Sequence, residues 1–162
     1  MFVSPRQNMT DLSTHFKNKL YNQCKSLVQE KLELLNSAYA ESREALGSEA
    51  KSTAGDKHET GRAMIQLEQE KMGRQLAETQ KLQNILARIN ADKIYERVQS
   101  GALVKADTGL YFIAVGIGKL EVEGNDVFVM APTSPLAQAM LGKVKGEQIC
   151  LNGNTQTILS VI

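Results

Sequence analysis

The stretch HFKNKLYNQCKSLVQEKLELLNSAYAESREAL, residues 15 to 46, decides the fold. Its apolar residues return at seven-residue steps: Leu20, Leu27 and Leu34 form one row, Tyr21, Val28 and Leu35 a second, and Cys24, Ala38 and Ala45 extend the stripe. Seven residues are close to two turns of an α-helix, so such rows form the seam of a coiled coil. Gly47 is a natural C′ residue, and SEAKSTAG, residues 48 to 55, reads as a short polar connection.

The pattern resumes after Gly55. Ile65, Met72, Leu76, Leu82, Leu86 and Ile89 share a face, with Arg62, Lys71, Arg74, Lys81 and Arg88 off it. Two helices joined by a short loop bury their stripes by packing antiparallel. Roughly 30 residues per helix at 1.5 Å each gives arms of about 45 to 50 Å. The expected hairpin spans residues 15 to 98 with its tip near 47 to 60, behind a flexible tail at 1 to 14 in which Met9 is an alternative start.

From Ala102 the period falls to two. LYFIAVGI and GKLEVEG read as strands, Asn125-Asp126 after Gly124 as a turn, VFVM as a further strand, and residues 147–151 and 155–161 as two last strands around Asn152-Gly153-Asn154. Thr133 or Ser134 opens a short helix with Pro135 in its first turn and Gly142 at its end. The whole is an α+β chain: a long antiparallel coiled-coil hairpin, then a small antiparallel β domain with one short helix over residues 99 to 162.

A formal net charge of +1 over 162 residues, with both signs interleaved, excludes a mainly electrostatic nucleic-acid binder. No apolar run is long enough to span a membrane and residues 1 to 11 lack a signal core, so a cytoplasmic protein is expected. Cys24 and Cys150 sit apart among apolar neighbours, which predicts two buried thiols with neither disulfide nor zinc.

Asp56 and Glu59 stand three apart at the start of the second helix. That spacing serves either of two purposes: a capping box, in which Asp56 caps and Glu59 reaches back, or a carboxylate pair offered to a partner, which the length of the arms favours. Two carboxylates at a loop tip hold Mg²⁺ weakly, since this ion keeps its waters and prefers joint ligation with phosphate or other carboxylates. They suit a supplement to a second metal ion in another enzyme's phosphoryl-transfer centre. His58, between them, is an exposed helix residue or a proton carrier near neutral pH.

The tip Gly55-Asp56-x-x-Glu59 and the terminal block SPLAQAMLGK, Ser134 to Lys143, with Gly146 and Gly153 after it, resemble the bacterial Gre transcript-cleavage factors. The likeness covers roughly residues 15 to 162. It implies an FK506-binding-protein-like second domain and a transcription elongation factor that is not itself an enzyme. Such a factor binds RNA polymerase, enters its secondary channel and stimulates the polymerase's own cleavage of backtracked RNA, with only indirect contact to the nascent RNA. On this resemblance Asp56 and Glu59 are the catalytic and metal-supporting residues, sharing Mg²⁺ with the polymerase. Thr133, Ser134 and Pro135 form the docking loop, and the protein acts as a monomer.

The chain departs from the family after the tip, where Thr60-Gly61-Arg62-Ala63 replaces Asn-Ala-Glu-Tyr, and the family's usual opening ahead of the first helix is missing. A channel-occupying regulator of initiation or pausing without strong cleavage activity is therefore the second reading. Two others are weaker. A prolyl isomerase would need an open aromatic pocket, whereas Tyr111, Phe112 and Phe128 alternate as core residues do; a plain coiled-coil interaction protein would leave the tip carboxylates unused.

Overall fold

The computed structural model describes the backbone of residues 12–51 and 56–162, with side chains described for 12–47 and 60–162. The element order is α1 (Thr14–Lys51), α2 (Asp56–Ala87), β1 (Leu103–Ala106), β2 (Gly109–Ile113), β3 (Gly118–Val122), β4 (Asn125–Met130), α3 (Pro135–Met140), β5 (Gln148–Leu151) and β6 (Asn154–Val161). The expected α+β class holds: a helical hairpin is followed by a small sheet and one short helix. Of the described residues, 12–24 group with Ile85–Ile162 into one compact unit, and those within Lys25–Asn84 form the other.

Within the hairpin unit, the α1 seam is Val28, Leu32, Leu35, Tyr39, Ser42 and Leu46, all buried or half-buried. The α2 seam is Ile65, Gln69, Met72, Leu76, Thr79 and Gln83. Both follow the four-then-three spacing of a coiled coil. The Gln83 side-chain amide donates to Gln29 Oε1 at 2.7 Å and ties the helices together. Thr79 is tolerated at a buried seam position because its hydroxyl donates to the Gln75 carbonyl at 2.7 Å. Arg62, Lys71, Arg74, Lys81 and Arg88 are exposed, as the pattern predicts.

Two sequence expectations change here. Leu27 and Leu34 lie off the seam, 38% and 73% exposed. Each precedes a seam position by one residue, about 100° around the helix from Val28 and Leu35, which puts both on the flank of the face that α2 covers. Helix α1 also runs through Gly47 to Lys51. A single glycine costs a helix only about 1 kcal/mol, and the Glu49, Ala50 and Lys51 that follow favour helix.

In the other unit, six strands in the order β3-β4-β2-β1-β6-β5 form one sheet among the described residues. Four pairings are antiparallel, but β2 and β4 run parallel, with Tyr111 opposite Phe128. The expected strand over LYFIAVGI stops at Ile113. Residues 114–117 then carry the chain past one strand position, β3 takes the edge, and β4 returns into the gap beside β2. The β3–β4 turn is Glu123-Gly124 rather than Asn125-Asp126, which already belong to β4. It matches the Asn152-Gly153 turn between β5 and β6: both hold two residues at positive φ, the twist that suits a two-residue hairpin.

One face of the sheet packs Val104, Ile113, Met130 and Ile158 against Ala137 and Met140 of α3. Leu103, Phe112 and Val129 alternate with these onto the opposite face and are fully buried. The first turns of α1 join this unit through polar contacts. Gln23 Nε2 donates to the Glu121 carbonyl at 3.1 Å, Asn18 Nδ2 to Asp92 Oδ1 at 2.9 Å, and the Tyr21 hydroxyl to the Leu86 carbonyl. Lys19 Nζ sits 2.6 Å from Glu123 Oε1, and this hydrogen bond, helped by its charge, holds the Glu123 carboxyl below the usual carboxylate range.

Candidate functional site

Asp56 opens α2 and Glu59 lies in its first turn, so the proposed carboxylate pair is placed by the backbone at the start of the second hairpin helix. The side chains of Asp56, His58 and Glu59 lie outside the described residues, as do Met9 and residues 52–55. Among the described residues no cluster of His, Cys, Asp and Glu is grouped to hold a metal ion.

The second set, Thr133, Ser134 and Pro135, is described in full. Ser134 is the N-cap of α3, with φ −65° and ψ 150°, and its hydroxyl accepts from the Ala137 amide at 3.4 Å. Pro135 sits in the first turn, where a missing amide hydrogen costs nothing. The Ser134 amide donates to the Ala131 carbonyl at 3.0 Å, and Gln138 Nε2 donates to the Pro132 carbonyl at 2.7 Å. These bonds brace the loop from both sides and leave Thr133 and Pro135 exposed. Such a loop presents a rigid shape and no titratable group.

The rest of the SPLAQAMLGK block serves the fold. The Leu141 amide caps α3 by donating to the Ala137 carbonyl at 2.9 Å. Gly142 then turns at φ +80° and donates to the Val98 carbonyl at 2.8 Å, while the Val98 amide donates to the Lys143 carbonyl at 2.9 Å. Arg97 adds a bond from its guanidinium to the Gly142 carbonyl at 3.1 Å. Gly142 is required because few side chains tolerate that left-handed conformation.

The aromatic residues do not divide as expected. Phe112 is a core residue, but Phe128 is 47% exposed and Tyr111 half-buried, its hydroxyl 2.8 Å from Thr108 Oγ1. Both lie on the face that carries α3, where Tyr111 packs against the edge of the core beneath that helix.

A cluster the sequence reading missed surrounds Tyr95. Lys17 is 1% exposed, its Nζ donates to the Lys93 carbonyl at 2.8 Å, and it lies 4.7 Å from the Tyr95 ring centroid. Lys93 Nζ is 5.2 Å from the same ring. Burial lowers the Lys17 pKa to about 8, because the ammonium form loses its water. The signal was present: Lys17, Leu20 and Cys24 follow helical spacing, so a lysine occupies an apolar position. Cys24 is buried as expected and its thiol is pushed up to about 12. Cys150 is not buried: the period of two that turns Ile149 inward turns Cys150 out, and both thiols are free.

No protein-family model matches the chain, and no curated protein matches it. Among solved structures it is similar to one described as the structure of the transcription factor Gfh1, with 14% sequence identity, 85% of this chain and 92% of that chain covered, and a TM-score of 0.35. Likeness at that level assigns no function. No helix among the described residues is long and apolar enough to cross a membrane.

Proposed function

We propose that this protein is a transcription elongation factor of Gre type. It binds RNA polymerase in the cytoplasm, passes its hairpin into the secondary channel, and stimulates the polymerase's own cleavage of backtracked RNA. The reading is carried by the Gly55-Asp56-x-x-Glu59 motif opening the second helix of the hairpin, and is supported by the braced Ser134-Pro135 loop in the sheet unit. In this reading the sheet unit has the FK506-binding-protein-like form and docks through Thr133, Ser134 and Pro135.

Asp56 and Glu59 would support Mg²⁺ held chiefly by the polymerase. The donor set fits that limited role: two carboxylates from one helical turn fall short of the six oxygens Mg²⁺ takes. When bound, the ion supplies an activated water for phosphodiester hydrolysis. The chain has no nuclease activity alone.

The decisive experiment pairs polymerase binding with cleavage of a backtracked transcript. Wild type binds and accelerates cleavage, and Asp56→Ala with Glu59→Ala binds equally but loses the acceleration. Binding without stimulation by wild type would favour a channel-occupying regulator of initiation or pausing, the reading that Thr60-Gly61-Arg62-Ala63 supports. Absence of binding would reject both.

A further inference from the structure

Beside the buried seam of α1 runs a second stripe at the same four-then-three spacing: Leu27, Lys31, Leu34, Ala38, Glu41 and Ala45. Each residue precedes a seam position by one, so the stripe lies along one flank of the hairpin. Leu34 is 73% exposed and Leu27 38%. Apolar residues at coiled-coil spacing on a flank are what a further helix would cover.

The two halves of the stripe are complementary. Residues 27 to 34 present two leucines around a lysine; residues 38 to 45 present two alanines around a glutamate. The smaller half forms one wall of an open groove of about 410 Å³, with Met64 and Met72 of α2 on the other side and Glu41 and Glu68 among its lining residues. The groove is thus apolar with acidic side chains, and the other half of the stripe is apolar with a basic one.

We propose that this flank binds a second copy of the chain, antiparallel, about a two-fold axis at Asn36. Reversal about Asn36 sets Leu34 opposite Ala38 of the second copy, Lys31 opposite Glu41, and Leu27 opposite Ala45. Large side chains meet small ones, opposite charges meet, and the two-fold repeats every contact. The residues in play bury well below the ~1,600 Å² of a standard interface, so the dimer is weak and depends on concentration. It replaces the monomer expected from sequence only when the chain is concentrated. Pairing of this kind needs no polymerase.

Sedimentation equilibrium of the full chain tests this, from about 1 μM to about 1 mM, the range of weak interfaces. The wild-type mass climbs towards that of a dimer, and Leu34→Glu stays monomeric with unchanged helical circular dichroism. Lys31→Glu and Glu41→Lys each weaken association about 5-fold or more, and the double swap restores it to within about 2-fold, because the interaction is reciprocal across the axis. A wild type that is monomeric throughout would overturn the proposal, as would a Leu34→Glu variant that still pairs. A double swap no better than either single variant would overturn the Asn36 register.

Discussion

The Lys17 ammonium donates to the Lys93 carbonyl oxygen at 2.8 Å, inside a site where the Lys17 side chain is nearly sealed from water. A carbonyl and an aromatic face replace its hydration, and no carboxylate is among the contacts found for it. The desolvation is therefore incompletely offset, and the charged form is the one that suffers.

Stability should consequently rise with pH above neutrality. Lys17 releases its proton near 8 in the folded chain but near 10.5 in the unfolded one. Between those values the unfolded state binds more protons, so the unfolding free energy increases with pH. Below 8 both states are charged and the folded state carries the full penalty. Urea unfolding of wild type at pH 7, 7.8 and 8.5 should show the increase, and Lys17→Met should abolish it while being about 1 kcal/mol more stable at pH 7. The window stays below 9, since burial raises the Cys24 thiol from its ordinary 9 to about 12 and also raises Tyr21, and the loss of either proton in the unfolded chain has the opposite effect.

Only one of the two cysteines should react in the native protein. Cys150 faces solvent, whereas Cys24 is buried with its thiol pushed up to about 12. At pH 8 the Cys24 thiolate is about one part in 10⁴. Titration with an aromatic disulfide reagent should find one fast thiol, with the second appearing at the rate of unfolding. Cys150→Ser should remove the fast phase.

Ser42 occupies a seam position of α1, and its buried hydroxyl has no hydrogen-bond partner among the described residues. Ser42→Ala removes an unsatisfied polar atom and improves helix propensity. Thermal unfolding should show a gain of about 1 kcal/mol, a rise of a few degrees in Tm.

Capping and docking should separate at adjacent residues. Ser134→Ala removes the α3 cap and should cost about 0.5 to 1 kcal/mol, the lower part of the usual range because the bond is long. Pro135→Ala leaves the cap in place and should change stability little. If this loop docks, Pro135→Ala weakens polymerase binding at unchanged Tm; equal affinity would remove Pro135 from the contact.

Local patterns made much of this protein legible. The helical periods, the Asn152-Gly153 turn and the Ser134-Pro135 helix start are written in neighbouring residues, because caps, turns and propensities act over a few positions. The candidate site was legible only as a motif: the spacing of Asp56 and Glu59 puts both in the first turn of α2. On the function proposed above, what that pair does depends on the polymerase, whose active site no local pattern in this chain describes.

Whatever required one element to choose its neighbour was left to the tertiary structure. Sequence alone determined that α1 is an amphipathic helix, but two adjacent stripes satisfy the same period, and α2 has one face to give. It covers Val28, Leu32 and Leu35 and leaves Leu27 and Leu34 exposed. The same is true of the parallel pairing of β2 with β4, the outward turn of Cys150 and the enclosure of Lys17. Each follows from which surface lies opposite, and contacts between residues far apart in the chain leave no local signature.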